Sequence, residues 1–149
     1  MTYIKRFITL NSIVMIRLYT GVLFCLGVTI SNLSIGQTVT LSPANPTPSQ
    51  AVTLTLDATG TPLVGEAKVY MHSGVVTSDV SSPGSSDWKY VVGNWGKDDG
   101  IGLMTAVTGQ ANKWQISLSP TMRQYYGVPD GTNIFWLALV FRNAAGSKQ

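Results

Sequence analysis

From Gln37 onward the chain is written as short alternations of apolar and polar residues. In QTVTLSP, Val39 and Leu41 alternate with threonines. In AVTLTLD, Val52, Leu54 and Leu56 oppose Thr53, Thr55 and Asp57. AKVYMHSG sets Ala67, Val69 and Met71 against Lys68, Tyr70 and His72, and KWQISLSP turns Trp114, Ile116 and Leu118 inward. A period of two places alternate side chains on opposite faces, so each segment predicts a half-buried β-strand. WKYVVGNW is strand-like as far as Gly93. IFWLALVFR, Ile134 to Arg142, is instead almost continuously apolar, as expected of a strand covered on both faces.

The punctuation between these segments agrees. Pro43, Pro46 and Pro48 exclude helix and predict an extended connector. TGTPLVG and TSDVSSPGSSD predict loops. Pro120 to Tyr126, closed by Gly127, predicts one short helical turn. Two strands around a proline-rich link, followed by further short alternating strands, predict an all-β, immunoglobulin-like antiparallel β-sandwich. NAAGSKQ after the apolar run is a turn that calls for a partner strand, so the sandwich is expected to lack its last strand, as a C-terminally truncated fragment would.

The first 36 residues follow another pattern. Lys5, Arg6 and Arg17 precede the apolar run LYTGVLFCLGVTI, Leu18 to Ile30, and a segment with the small or polar residues Ser31, Asn32, Ser34 and Gly36 follows. That order predicts a signal peptide over 1–36 and a mature module over 37–149. The run of 13 is shorter than the ~20 residues of a membrane span, so no stable membrane insertion is expected once the signal is removed. All of the net charge of +3 resides in those three basic residues, and from Gln37 seven Lys or Arg balance seven Asp or Glu. A neutral module gives no reason to expect nucleic acid as a partner. The single cysteine, Cys25, also falls in the signal, which leaves the module without thiol chemistry.

The segment VVGNWGKDDGIGLM, Val91 to Met104, concentrates the chemistry. A glycosidase needs two carboxyl groups across a cleft, about 5–9 Å apart. Glu66 is the only glutamate, and the neighbours Asp98 and Asp99 point to opposite sides of an extended segment. His72, the one histidine, has no G-x-S-x-G segment to serve. No catalytic residue is assigned, and the fragment is expected not to be an enzyme. No metal site and no cofactor are assigned either. Calcium at KDDG, with Asn94 as a further donor, is the alternative, but the spaced oxygen ligands and distal glutamate of an EF-hand are missing.

Sugar binding suits the residue types better. Flat aromatic faces stack on the apolar C–H side of pyranose rings, and polar side chains bond the hydroxyls. Tyr70, Trp88 and Trp95 are the candidate aromatics, with His72, Lys97 and Asp98 beside them; Tyr90 and Asn94 are further candidates. Tyr70 and His72 fall on the polar face of one strand, and Trp95 lies between two glycines that give its ring little cover. The competing assignment is structural. Trp114 and Trp136 are expected in the core, and Tyr125 and Tyr126 between core and surface.

VYMHSGVV, W..VVGNWGKDDGIGLMT, KWQISLSPTMRQYYGVPDGT and I.WLALVFRNAAGSK, taken in that order, resemble a bacterial β-sandwich module. It stands at the N-terminus of secreted α-amylase-type glycoside hydrolases and is distantly similar to starch-binding carbohydrate-binding modules. The resemblance covers Val39 to Lys148 and rests most on the paired motifs GNWG.DDG and VFRNA.GSK. It implies a secreted or surface-exposed noncatalytic accessory module of a Gram-negative bacterium, binding or positioning α-glucan, with catalytic domains downstream in the same chain. The alternative is an immunoglobulin-like spacer or adhesive module without a sugar site.

Overall fold

The computed structural model describes Phe7–Thr9 and residues 37–149. The rest of the expected signal segment lies outside the described residues. The fold is an all-β sandwich of two sheets. One has the order β1 (Phe7–Thr9), β8 (Trp136–Asn143), β4 (Val69–Val76), β5 (Lys89–Val92). The other has the order β2 (Thr38–Ser42), β3 (Val52–Asp57), β7 (Lys113–Leu118), β6 (Thr105–Ala106). Every ladder is antiparallel except that of β1, which runs parallel to β8 over Leu137–Leu139. Among the described residues, no helix is long and apolar enough to cross a membrane.

The alternations resolve as their period requires. Val52, Leu54 and Leu56 of β3, with Trp114 and Leu118 of β7, meet Val69, Met71 and Val75 of β4 and Leu137, Leu139 and Phe141 of β8 in a single core. Each fully buried aliphatic side chain there contributes roughly 1.5–3 kcal/mol. Thr53, Thr55, Gln115 and Ser117 occupy the opposite, solvent-facing side of their sheet. One polar pair enters the core: the Tyr126 hydroxyl bonds Ser73 Oγ at 2.9 Å, which satisfies both groups. Met122–Tyr125 forms one helical turn, α1, capped by Thr121, whose side chain accepts from the Gln124 amide. Gly127, at φ +65°, ends it in a backbone conformation that side chains disfavour.

The β4/β8 sheet departs from simple alternation because its outer face is covered as well. Tyr70, Val76, Trp136, Ala138 and Arg142 point away from the main core yet are buried. Residues 77–84 lie over one end, where Trp136 Nε1 donates to the Val80 carbonyl at 3.1 Å. Trp136 is therefore buried under a loop rather than between the sheets. Residues 93–104 cover the other end and complete the candidate site.

Candidate functional site

The site grows out of the register between β4 and β8. On the outer face Tyr70 pairs with Arg142, His72 with Val140 and Gly74 with Ala138. The last pair makes a shallow floor, because neither residue has a large side chain. Across the other edge of β4, Ser73 pairs with Val92 and Val75 with Lys89, so two β5 residues, Tyr90 and Val91, oppose Gly74 alone. That bulge holds Tyr90 at φ +51°, a conformation uncommon for a non-glycine residue. A Cβ at Gly74 would lie 3.0 Å from the Lys89 carbonyl oxygen and 3.6 Å from Trp88 Cε3. Glycine at this position lets both the bulge and the Trp88 ring settle on the sheet.

Three aromatic rings meet beside this floor. His72 stacks with Trp88 at 6.2 Å between centroids and 27° between planes. Trp95 meets His72 edge-on at 5.6 Å and 90°. The two indoles are thus steeply inclined to each other across the imidazole. Trp95 is 47% exposed and Trp88 partly so, and Val91, 48% exposed, borders the same floor. His72 Nδ1 is buried beside the Gly93 backbone, without a hydrogen bond of normal geometry. Burial lowers the His72 pKa; the Gly93 backbone opposes this, and the Arg142 charge adds to it.

Trp95 is held by a tight turn. The Lys97 amide donates to the Asn94 carbonyl at 3.2 Å, which leaves Trp95 and Gly96 at the corners. Gly96 has φ +68° and Trp95 is not left-handed, a combination that defines a type II turn. The loop then returns along β4, where the Met71 amide donates to the Gly102 carbonyl and the Met104 amide to the Val69 carbonyl. Between these points the adjacent aspartates diverge. Asp98 accepts from Lys68 Nζ at 2.7 Å and from the Tyr70 hydroxyl. Asp99 accepts from Asn94 Nδ2 at 2.7 Å and from the Ile101 amide at 3.0 Å. Both pKa values are lowered, chiefly by the Lys68 bond for Asp98 and by the Asn94 bond for Asp99, while the Asp98 bond raises that of the Tyr70 phenol.

Beneath the turn lies Arg142, a wholly buried residue that pattern reading treats only as the end of an apolar run. Its Nη2 donates to the carbonyls of Asn94 (2.7 Å) and Lys97 (2.9 Å), both ends of the Trp95 turn. Nη1 donates to the carbonyls of Asn143 (2.9 Å) and Ala144 (3.0 Å). The guanidinium also sits 4.5 Å from the centroid of the Tyr70 ring. Carbonyl dipoles and an aromatic face thus solvate a charge that would otherwise be costly to bury.

All six sequence candidates gather at this end of the β4/β8 sheet, in two different roles. His72, Trp88 and Trp95 form the accessible aromatic patch. Tyr70 does occupy the same sheet face as His72, but it is 1% exposed under the 93–104 loop, so the expectation of a surface stacking ring is corrected. Asp98 is committed to Lys68 and Tyr70 as a brace. Lys97 is exposed and contributes its carbonyl to Arg142. The diverging aspartates build no common oxygen cage, and no group of three or more His, Cys, Asp or Glu side chains converges among the described residues.

The fold and site define an all-β sandwich with a braced aromatic patch on one sheet. Compared with known proteins, the chain matches no family model and no curated protein.

Proposed function

We propose that this chain is a noncatalytic accessory module of a secreted, α-amylase-like polysaccharide-degrading enzyme, and that it binds or positions α-glucan at the His72–Trp88–Trp95 patch. The observation that carries this reading is the half-exposed Trp95 ring, held on a turn whose two ends are both bonded to a buried residue. A ring already fixed in its place loses little entropy on binding, so more of its stacking energy appears as affinity. The steep inclination of the two indoles favours a ligand that curves across them, as an α-linked glucan does, over a flat ribbon. The nearby carboxylates of Asp98 and Asp99 are bonded within the loop, which supports binding rather than hydrolysis.

Affinity electrophoresis in gels containing amylopectin tests the proposal. Retardation of the native protein is expected, and Trp95→Ala should remove most of it while near-UV circular dichroism remains that of a folded sandwich. Unchanged mobility of the native protein in starch, glycogen and pullulan would refute glucan binding.

A second reading, an immunoglobulin-like spacer or adhesive module without a sugar site, is favoured by a different observation. Lys68, Tyr70, Asn94, Asp98 and Asp99 all bond one another or the loop backbone, leaving few hydrogen-bonding groups for a sugar. Retention in none of these gels, with further sandwich domains adjoining in the encoded protein, is the outcome that reading requires.

A further inference from the structure

We infer that Arg142 is the positioning residue of the aromatic patch: it touches no ligand, but it sets the place and order of the Trp95 ring. The ligand consequence rests on the glucan-binding reading; the ordering of the ring does not.

Arg142 joins two turns back to back. The first, Asn94 to Lys97, carries Trp95 at its corner, and both of its end carbonyls accept from Nη2. The second begins at Asn143, whose carbonyl accepts from the Gly146 amide at 3.1 Å, and its first two carbonyls accept from Nη1. Asn143 secures this second turn from its far side, accepting at Oδ1 from the Ser147 and Lys148 amides. The turns touch where neither has a side chain. A Cβ at Gly146 would lie 3.0 Å from Gly96 Cα and 3.1 Å from Trp95 Nε1. The indole is therefore seated against the second turn while the guanidinium grips both turns from beneath. This coupling joins GNWG to VFRNAAG, 48 residues apart at their bonded atoms.

The geometry is specific to arginine. A planar fork of donors serves four carbonyls on two sides while its face stacks on Tyr70; an ammonium group has three donors, no plane and a stronger hold on water. In Arg142→Lys the two turns are expected to separate and the Trp95 ring to become mobile, with a roughly tenfold loss of amylopectin affinity, as for one good aromatic contact.

The test is the indole N–H spectrum by NMR, with the Trp95 signal assigned by Trp95→Phe. In the native protein Trp95 must relax like the buried Trp114 despite its exposure. In R142K the Trp95 signal should shift and sharpen toward that of a mobile ring, while Trp114 keeps its native position. Gly146→Ala, which leaves Arg142 intact and removes the seat, should shift the same signal. A mobile Trp95 in the native protein overturns the inference even if R142K does not fold. An unchanged Trp95 signal in folded R142K also overturns it, as a merely structural role for Arg142 requires. If the native protein retains an ordered Trp95 but binds no glucan, the positioning role stands and the glucan reading alone fails.

Discussion

Gly102→Ala probes how the 93–104 loop is fastened to the sheet. Gly102 is buried at φ +79°, and its carbonyl accepts from the Met71 amide at 2.8 Å. A Cβ there would lie 2.2 Å from the Met71 carbonyl oxygen, so backbone must move against backbone. The left-handed conformation alone costs a side chain about 1–2 kcal/mol. Separating the strands also weakens the Met71–Gly102 and Met104–Val69 hydrogen bonds, at about 0.5–1.5 kcal/mol each. The total, about 2–5 kcal/mol, is a large part of the ~5–15 kcal/mol typical of a domain. Gly100→Ala supplies the control: φ is +85°, but nothing lies within 4 Å of the added Cβ, so only the conformational cost of about 1–2 kcal/mol applies. Urea unfolding followed by tryptophan fluorescence should place G102A well below G100A in midpoint, and G102A should also bind amylopectin more weakly because the displaced loop carries Trp95. Equal losses in the two variants would refute the account, since the fastening of the loop would then owe nothing to the close approach.

Two pH effects follow from the same site. The folded Asp98 pKa is depressed by Lys68 and Tyr70, so its contribution is complete above the ordinary value of 3.8 and is lost as pH falls through the lower folded value. Asp98→Asn should flatten part of the acid limb of stability below the ordinary carboxylate value, measured by urea midpoints, while Asp57 and Asp99, also depressed, maintain the remainder. His72 is likewise depressed, here from 6.5 by burial, so the unfolded chain takes up its proton first and stability should fall as pH drops below 6.5 toward the folded value. His72→Phe should remove that slope and keep the ring contacts, and an NMR titration showing native His72 protonated at neutral pH would contradict it.

Much of the sandwich was legible from a period of two. Val52, Leu54 and Leu56, and equally Trp114 and Leu118, face inward as alternation demands, and the apolar run after Ile134 became a strand covered on both faces. The helical turn at Met122–Tyr125 was legible as well, because Pro120 and Gly127 act through local backbone geometry. The candidate site was legible as a set of residues and only partly as roles. Alternation puts Tyr70 and His72 on one side of a strand, but whether that side meets water depends on where a loop 30 residues later comes to rest.

These limits have one physical origin. Local rules act within a few residues, so the order of residues alone marks most of the strands, though not β1 or the two-residue β6, along with the side chains that share a face and a Trp95 at a glycine-flanked turn. Long-range bonds decided the rest. The Gly102 carbonyl, accepting from Met71 of β4, closes the loop over Tyr70, the Asp98 carboxylate draws in Lys68, and the Arg142 guanidinium gathers carbonyls from two distant turns. An arginine at the end of an apolar run has no local preference that marks it as the centre of a site. Only the tertiary structure brings its four acceptors within reach, and with them it turns Trp95 outward beside His72 and Trp88.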